Sequence, residues 1–166
     1  MTKSIDIFSA TNPAFCSLVL LSFCEGYQDE AKDGVPYSLM VFPIPIILSG
    51  DLSETFINTN IKTGFYSWVK NNPHLLLNLD ERIEESFHYI KSAIEFGFGK
   101  KIFELNENGS FSALSENMGN YQNAADVAIY FKNAKRLGAW LGQIKSPKTI
   151  YNHLGLQILV DGILVI

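Results

Sequence analysis

The segment NPAFCSLVLLSFCEGYQDE, residues 12–30, constrains the fold most. Asn12 stands where an N-cap belongs and Pro13 where a first helical residue does, because the first turn has no acceptor for the N–H that proline lacks. From Phe15 to Phe23 the helix is apolar on nearly every side. Such a helix has no face to give to water, so it is enclosed in a core or covered by another subunit. Its apolar run, FCSLVLLSF, is too short to cross a membrane. The opening MTKSIDIFSATNP has no apolar stretch after its lysine, as a secretory signal would. Cys16 and Cys24 sit roughly 12 Å apart along the helix axis, too far for an intrachain disulfide. Reduced thiols of this kind fit a cytoplasmic setting.

A chain of 166 residues suggests one domain, or two small ones sharing a core, and is long enough to bury a real core. Its hydrophobic content is 47% and its aromatic content 13%, which is heavy for that length and points to apolar surface covered by a partner. The net charge of -4 argues against a free-standing nucleic-acid binder, which needs a basic face.

Helix and turn signals divide the rest of the chain. VPYSLMVFPIPIILSG carries Pro43 and Pro45 two apart, and a central strand cannot lack two amide donors, so an extended segment or edge strand is expected there. Asp51 and Glu54 have capping-box spacing. GFYSWVKNNP reads as a short aromatic helix that ends before Pro73. Asn78 and Glu81 are expected to cap a longer helix, whose stripe is Ile83, Phe87, Ile90 and Ile94. KKIFEL and SFSAL read as strands joined at Asn108-Gly109. SENMGNYQN is a loop. The longest helix is expected at about 124–144, with Ala134, Gly138 and Gly142 as a small-residue line where another backbone approaches closely. Each of those glycines costs about 1 kcal/mol of helix stability, so packing is the reason for them. Ser146-Pro147 caps a short helix that Gly155 ends, and LQILVDGILVI reads as two strands around Asp161-Gly162. The fold class is α+β, mainly helical, in one domain over residues 1–166. A winged-helix-like unit occupies about 61–114 and the C-terminal helices about 124–156.

The stretch GFGKK, residues 97–101, raises a phosphate-loop question. A Walker loop needs glycine five residues before its Gly-Lys pair, then Ser or Thr. Here those places hold Ile94 and Lys101. A dinucleotide loop follows a strand and opens a helix, whereas here a helix closes and strands begin. The glycines, Gly97 or Gly99, are expected to stop the helix. Short helix, longer helix and hairpin is the order of a winged-helix unit. A DNA-reading version needs positive charge on its recognition helix. This one carries Glu81, Glu84, Glu85 and Glu95 against Arg82 and Lys91, with Lys100 and Lys101 at the base of the wing. The wing therefore reads as a protein-interaction surface.

Chemistry-bearing patterns are weak. His74, His88 and His153 have no histidine or cysteine at ligand spacing. Cys16 lies in an apolar helix, not in the electropositive setting a nucleophile requires. Asp80, Glu81, Glu84 and Glu85 read as an acidic first turn and a solvated face, favourable to the helix dipole. No catalytic site, cofactor or metal is expected.

The segments NPAFCSLVLLSFCEGYQ, FPIPIILSGDLSETF, TNIKTGFYSWVKNNP, AIEFGFGKKIFEL, AKRLGAWLGQI and TIYNHLGL, in that order, resemble the middle components of three-component ABC systems. The resemblance runs from about Asn12 to Leu156. Such proteins are encoded between an SMC/Rad50-like ABC ATPase and an effector, and Lamassu defence systems are of this type. The resemblance implies a non-catalytic adaptor in a cytoplasmic anti-phage or anti-plasmid complex. Its partners would be the ATPase and an effector, such as a nuclease, with DNA reached only through the complex and no membrane involved. Leu20, Pro43, Pro45, Lys100, Lys101, Trp140, Ile158 and Val160 are the expected partner contacts. The competing readings are a winged-helix DNA-binding transcriptional regulator and a small hydrolase.

Overall fold

Helix α1, Pro13–Ala31, is capped by Asn12, whose side-chain oxygen accepts from the N–H groups of Ala14 and Phe15 at 2.9 and 3.3 Å. The computed structural model describes residues 12–123, 126–160 and 163–165. Within them α1 is the centre of the fold. It packs against α5 (Leu79–Gly99) and α6 (Ala128–Ile144), and against the sheet strand β3 (Ser110–Ala113). This enclosure explains its nearly uniform apolarity. Val19, Leu20, Leu21, Phe23 and Cys24 are all fully buried. One cluster of buried apolar side chains runs from Cys16 to Leu156.

The α1–α6 crossing is set by glycine. A Cβ on Gly138 would overlap the Phe23 carbonyl oxygen and lie 2.9 Å from Tyr27 N. A Cβ on Gly142 would lie 2.5 Å from the Tyr27 carbonyl oxygen, and one on Gly26 would strike the Lys135 carbonyl. The line Ala134, Gly138, Gly142 thus does bring a second backbone close, and that backbone is α1. Among the described residues α5, at 21 residues, is longer than α6, at 17. The start of α6 is Ala128, where 124 was expected; residues 124 and 125 lie outside the described ones.

The Pro43-Pro45 segment is not extended. Val35–Pro36 forms β1, a 3-10 turn covers Tyr37–Leu39, and Pro43–Ile47 is helix α2. The reason lies in helix ends. The first four N–H groups of a helix have no intrahelical acceptor, so prolines at its first and third positions lose nothing. Leu48 N, further in, bonds Ile44 O at 3.1 Å. The edge-strand proline is instead Pro36.

The capping box expected at Asp51 and Glu54 is absent. Ser49 precedes α3 (Gly50–Ser53), with no side-chain cap. Asp51 instead makes a bidentate pair with Arg82, at 2.7 and 3.1 Å, tying α3 to α5. A box does form further along, at Asn60 and Thr63. Asn60 Oδ1 accepts from Lys62 N at 2.8 Å, and Asn60 N donates to Thr63 Oγ1 at 3.0 Å, leading into α4 (Gly64–Asn71). Asn78 occupies the N-cap position of α5, but in the left-handed region and without a side-chain cap bond.

The three-stranded antiparallel sheet has the order β1-β3-β2, where β2 is Phe103–Leu105. Gly109, at φ 80°, closes the β2–β3 turn, and Asn108 Oδ1 accepts from Ser110 N and Oγ. Gln28 of α1 accepts from Ala113 N at 2.7 Å, which fastens β3 to the helical core. The chain continues through α6 into α7 (Pro147–His153), capped by Ser146. Ile158–Val160 (β4) then pairs antiparallel with Ile163–Val165 (β5); the turn between them lies outside the described residues.

Candidate partner interface

Helix α5 ends through Lys101 rather than through a glycine in left-handed conformation. Lys101 has φ 54°, and Ile102 N reaches back to Gly97 O at 2.8 Å. This is the hydrogen bond of a Schellman ending, with lysine at the left-handed position. Gly97 is needed for another reason: a Cβ there would overlap the Phe103 ring. The GFGKK stretch is therefore the exit of a helix onto a sheet, and presents no cradle of amides opening a helix.

This exit builds a surface. Tyr37 and Phe98 both stack on the same buried ring, Phe111, with centroids 5.9 and 5.6 Å away. Tyr37 is 46% exposed and Phe98 38%. Leu105, on the edge strand β2, is 58% exposed. Lys100 and Lys101 are exposed just after Phe98 in the chain, and Lys100 Nζ lies 6.0 Å from the Phe96 ring centroid. Two lysines next to aromatic and aliphatic side chains suit a protein surface with some negative charge. The outer face of α5 does not suit DNA, for Asp80, Glu81, Glu84, Glu85 and Glu95 are all exposed on it.

The other expected contacts are placed differently. Leu20 and Trp140 are fully buried, and Pro43 and Pro45 are buried too. The chain's own core covers them, so in this fold they offer no side chain to a partner. Trp140 stacks parallel on Phe56 at 5.6 Å, contacts Trp68 at 5.3 Å, and donates from Nε1 to Asn60 O at 3.1 Å. Ile158 and Val160 fall on β4. The apolar excess of the sequence is largely absorbed by this aromatic and aliphatic core, not by docking patches.

A second surface had no expectation attached to it. Between the segment 53–59 and α6 lies a cleft of about 390 Å³, with Ile57 and Ile129 on it, 66% and 55% exposed. Arg136 and Asn133 line it. Its one legible signal is Asn133, a polar residue in helical register with Leu137 and Trp140, on a stripe that otherwise is apolar.

Cys16 and Cys24 are buried thiols, and burial pushes the Cys16 pKa up to about 11 and that of Cys24 higher still. His74, His88 and His153 are exposed and separate. Among the described residues no group of three or more His, Cys, Asp or Glu could hold a metal ion. Nor, among them, is any single helix long and apolar enough to cross a membrane.

The family model for the middle component 3 of ABC-three component (ABC-3C) systems matches residues 6–158. The chain belongs to this family. No curated protein and no solved structure matches it. The ABC-3C match contains every helix described above and stops at the first residue of β4.

Proposed function

We propose that this chain is a non-catalytic adaptor that joins an SMC/Rad50-like ABC ATPase to an effector, a nuclease in the simplest case, within a cytoplasmic defence complex of Lamassu type. The observation that carries the reading is the middle-component match across residues 6–158. The surface supports it. Exposed Tyr37, Phe98 and Leu105 meet at Phe111, and exposed Lys100 and Lys101 follow Phe98 in the chain, an aromatic surface with a charged margin suited to a protein partner. The acidic outer face of α5 disfavours the transcriptional-regulator alternative. Contact with DNA would then come through the ATPase and effector.

Co-expression with the ATPase and effector encoded beside it tests the reading. The three proteins are expected to co-purify through size exclusion as one species. The isolated chain is expected to show no saturable heat with MgATP and no salt-dependent affinity for duplex DNA. Separate elution of this chain from both neighbours would overturn the proposal.

A further inference from the structure

Of the cations on the described surface, Arg136 has the least ordinary setting. It is partly buried in the cleft between residues 53–59 and α6. Its Nη1 donates to Phe56 O at 3.2 Å and to Thr59 Oγ1 at 3.0 Å, which fixes the plane of the guanidinium. Nε and Nη2 have no hydrogen-bond partner among the described residues. No carboxylate lies within ion-pair distance either; the ion pairs found there are Arg82–Asp51 and Lys135–Asp29. Burial alone accounts for the lowering of its pKa. A desolvated guanidinium without a counter-ion is costly, and its fork geometry fits a carboxylate through two parallel hydrogen bonds.

Asn133 is the second observation. One helical turn before Leu137, it is only 4% exposed and lines the same cleft, yet its amide has no hydrogen bond among the described residues. No buried side-chain nitrogen or oxygen among them is sealed from solvent without a partner, so what exposure Asn133 keeps is at its amide. An amide so placed can take one donor and one acceptor from a bound backbone. Exposed Ile57 and Ile129 lie beside the two polar groups, and Lys132 adds a further positive charge.

We infer that this cleft receives a segment of another protein of the same ABC-3C system, one that presents an Asp or Glu carboxylate to Arg136 with aliphatic side chains against Ile57 and Ile129. A protein carboxylate is favoured over a nucleic-acid phosphate because the cleft sets its cations beside two exposed isoleucines, which match aliphatic side chains and give a phosphate backbone nothing to bind. This inference rests on the adaptor reading and gives it a contact point.

The test uses the intact chain with its co-expressed ATPase and effector. Carbodiimide, which couples amine to carboxylate without a spacer, is expected to join Lys132 to an Asp or Glu of one of them. Arg136→Gln is expected to weaken that association about 30-fold or more, as loss of one member of a buried charge pair does. Ile129→Glu, at an exposed position, should weaken it as well while leaving the thermal unfolding midpoint in place, which separates lost docking from lost folding. If the wild-type chain binds neither component, the adaptor reading and the cleft both fail. If it binds but Ile129→Glu binds within about twofold and Lys132 couples only to its own Glu54, the adaptor reading stands and the cleft proposal falls. Duplex DNA affinity that drops with Arg136→Gln while the protein complex persists would assign the cleft to phosphate, and would overturn the proposal.

Discussion

Gly138→Ala separates packing from helix propensity at one atom. In an ordinary helix interior this change stabilises by about 1 kcal/mol, because alanine loses less backbone entropy. Here the added methyl would overlap the Phe23 carbonyl oxygen and lie 2.9 Å from Tyr27 N and 3.0 Å from Phe23 C. The closest overlap, with the Phe23 carbonyl oxygen, sets how far α1 and α6 must part: more than about 1 Å, enough to forfeit about half or more of each contact's attraction. The obstructing atoms are backbone, so no rotamer can relieve the clash. Overpacking of this kind costs about 3 kcal/mol, leaving a net destabilisation of about 2 kcal/mol after the propensity gain. For a chain of this size the thermal midpoint should fall by about 4–8 °C. Gly99→Ala is the control. It sits at the end of α5, at an ordinary φ, with nothing within 4 Å of its Cβ, so it should be neutral or slightly stabilising. Thermal and urea unfolding of both variants decide the matter. Equal stability of Gly138→Ala and wild type, or the same sign for both glycines, would refute the reasoning.

Trp140→Ala removes the ring stacked on Phe56 together with the Nε1 bond to Asn60 O, and should cost about 3–5 kcal/mol in urea unfolding. The Arg82 guanidinium holds the Asp51 carboxyl below its usual pKa. That contribution is present above the unfolded carboxylate value and is lost as pH falls through the folded one; because both side chains are partly exposed, it amounts to under about 1 kcal/mol. Asp51→Asn should therefore lower stability slightly at pH 7 and converge on wild type in acid, as read from urea midpoints. Cys16 and Cys24 should resist iodoacetamide at pH 8 in the folded chain and react only in denaturant, followed by intact mass; rapid native labelling would contradict their burial. Lys100→Glu with Lys101→Glu should leave the unfolding midpoint in place, since both are exposed, while reducing retention by the ATPase or effector in a pull-down.

Much of the helical frame is written locally. Asn12-Pro13 and Ser146-Pro147 act through their own turns, and the stripe Ile83, Ile90, Ile94 repeats on one face of α5. The hairpin is equally local, fixed by Asn108-Gly109. Pro43 and Pro45 misled because two missing donors argue against a sheet interior and equally well fit a helix start. Asp51 and Glu54 misled because a capping spacing says nothing of Arg82, which reaches Asp51 from 31 residues away. The candidate docking surface was the least legible part. Apolar residues such as Leu20 and Trp140 look the same in sequence whether a core or a partner covers them. Ile57 and Ile129 become neighbours only when α6 folds back, and Arg136's lack of a carboxylate is a property of three-dimensional neighbours alone.

Effector activity in a reconstituted mixture of ATPase and effector, measured with and without this chain, tests the adaptor claim most directly. With ATP and DNA present, the account predicts that the effector responds to the ATPase only when the chain is added, and that the chain alone turns over neither ATP nor DNA. An effector equally active without it, or catalysis by the chain on its own, would contradict the account.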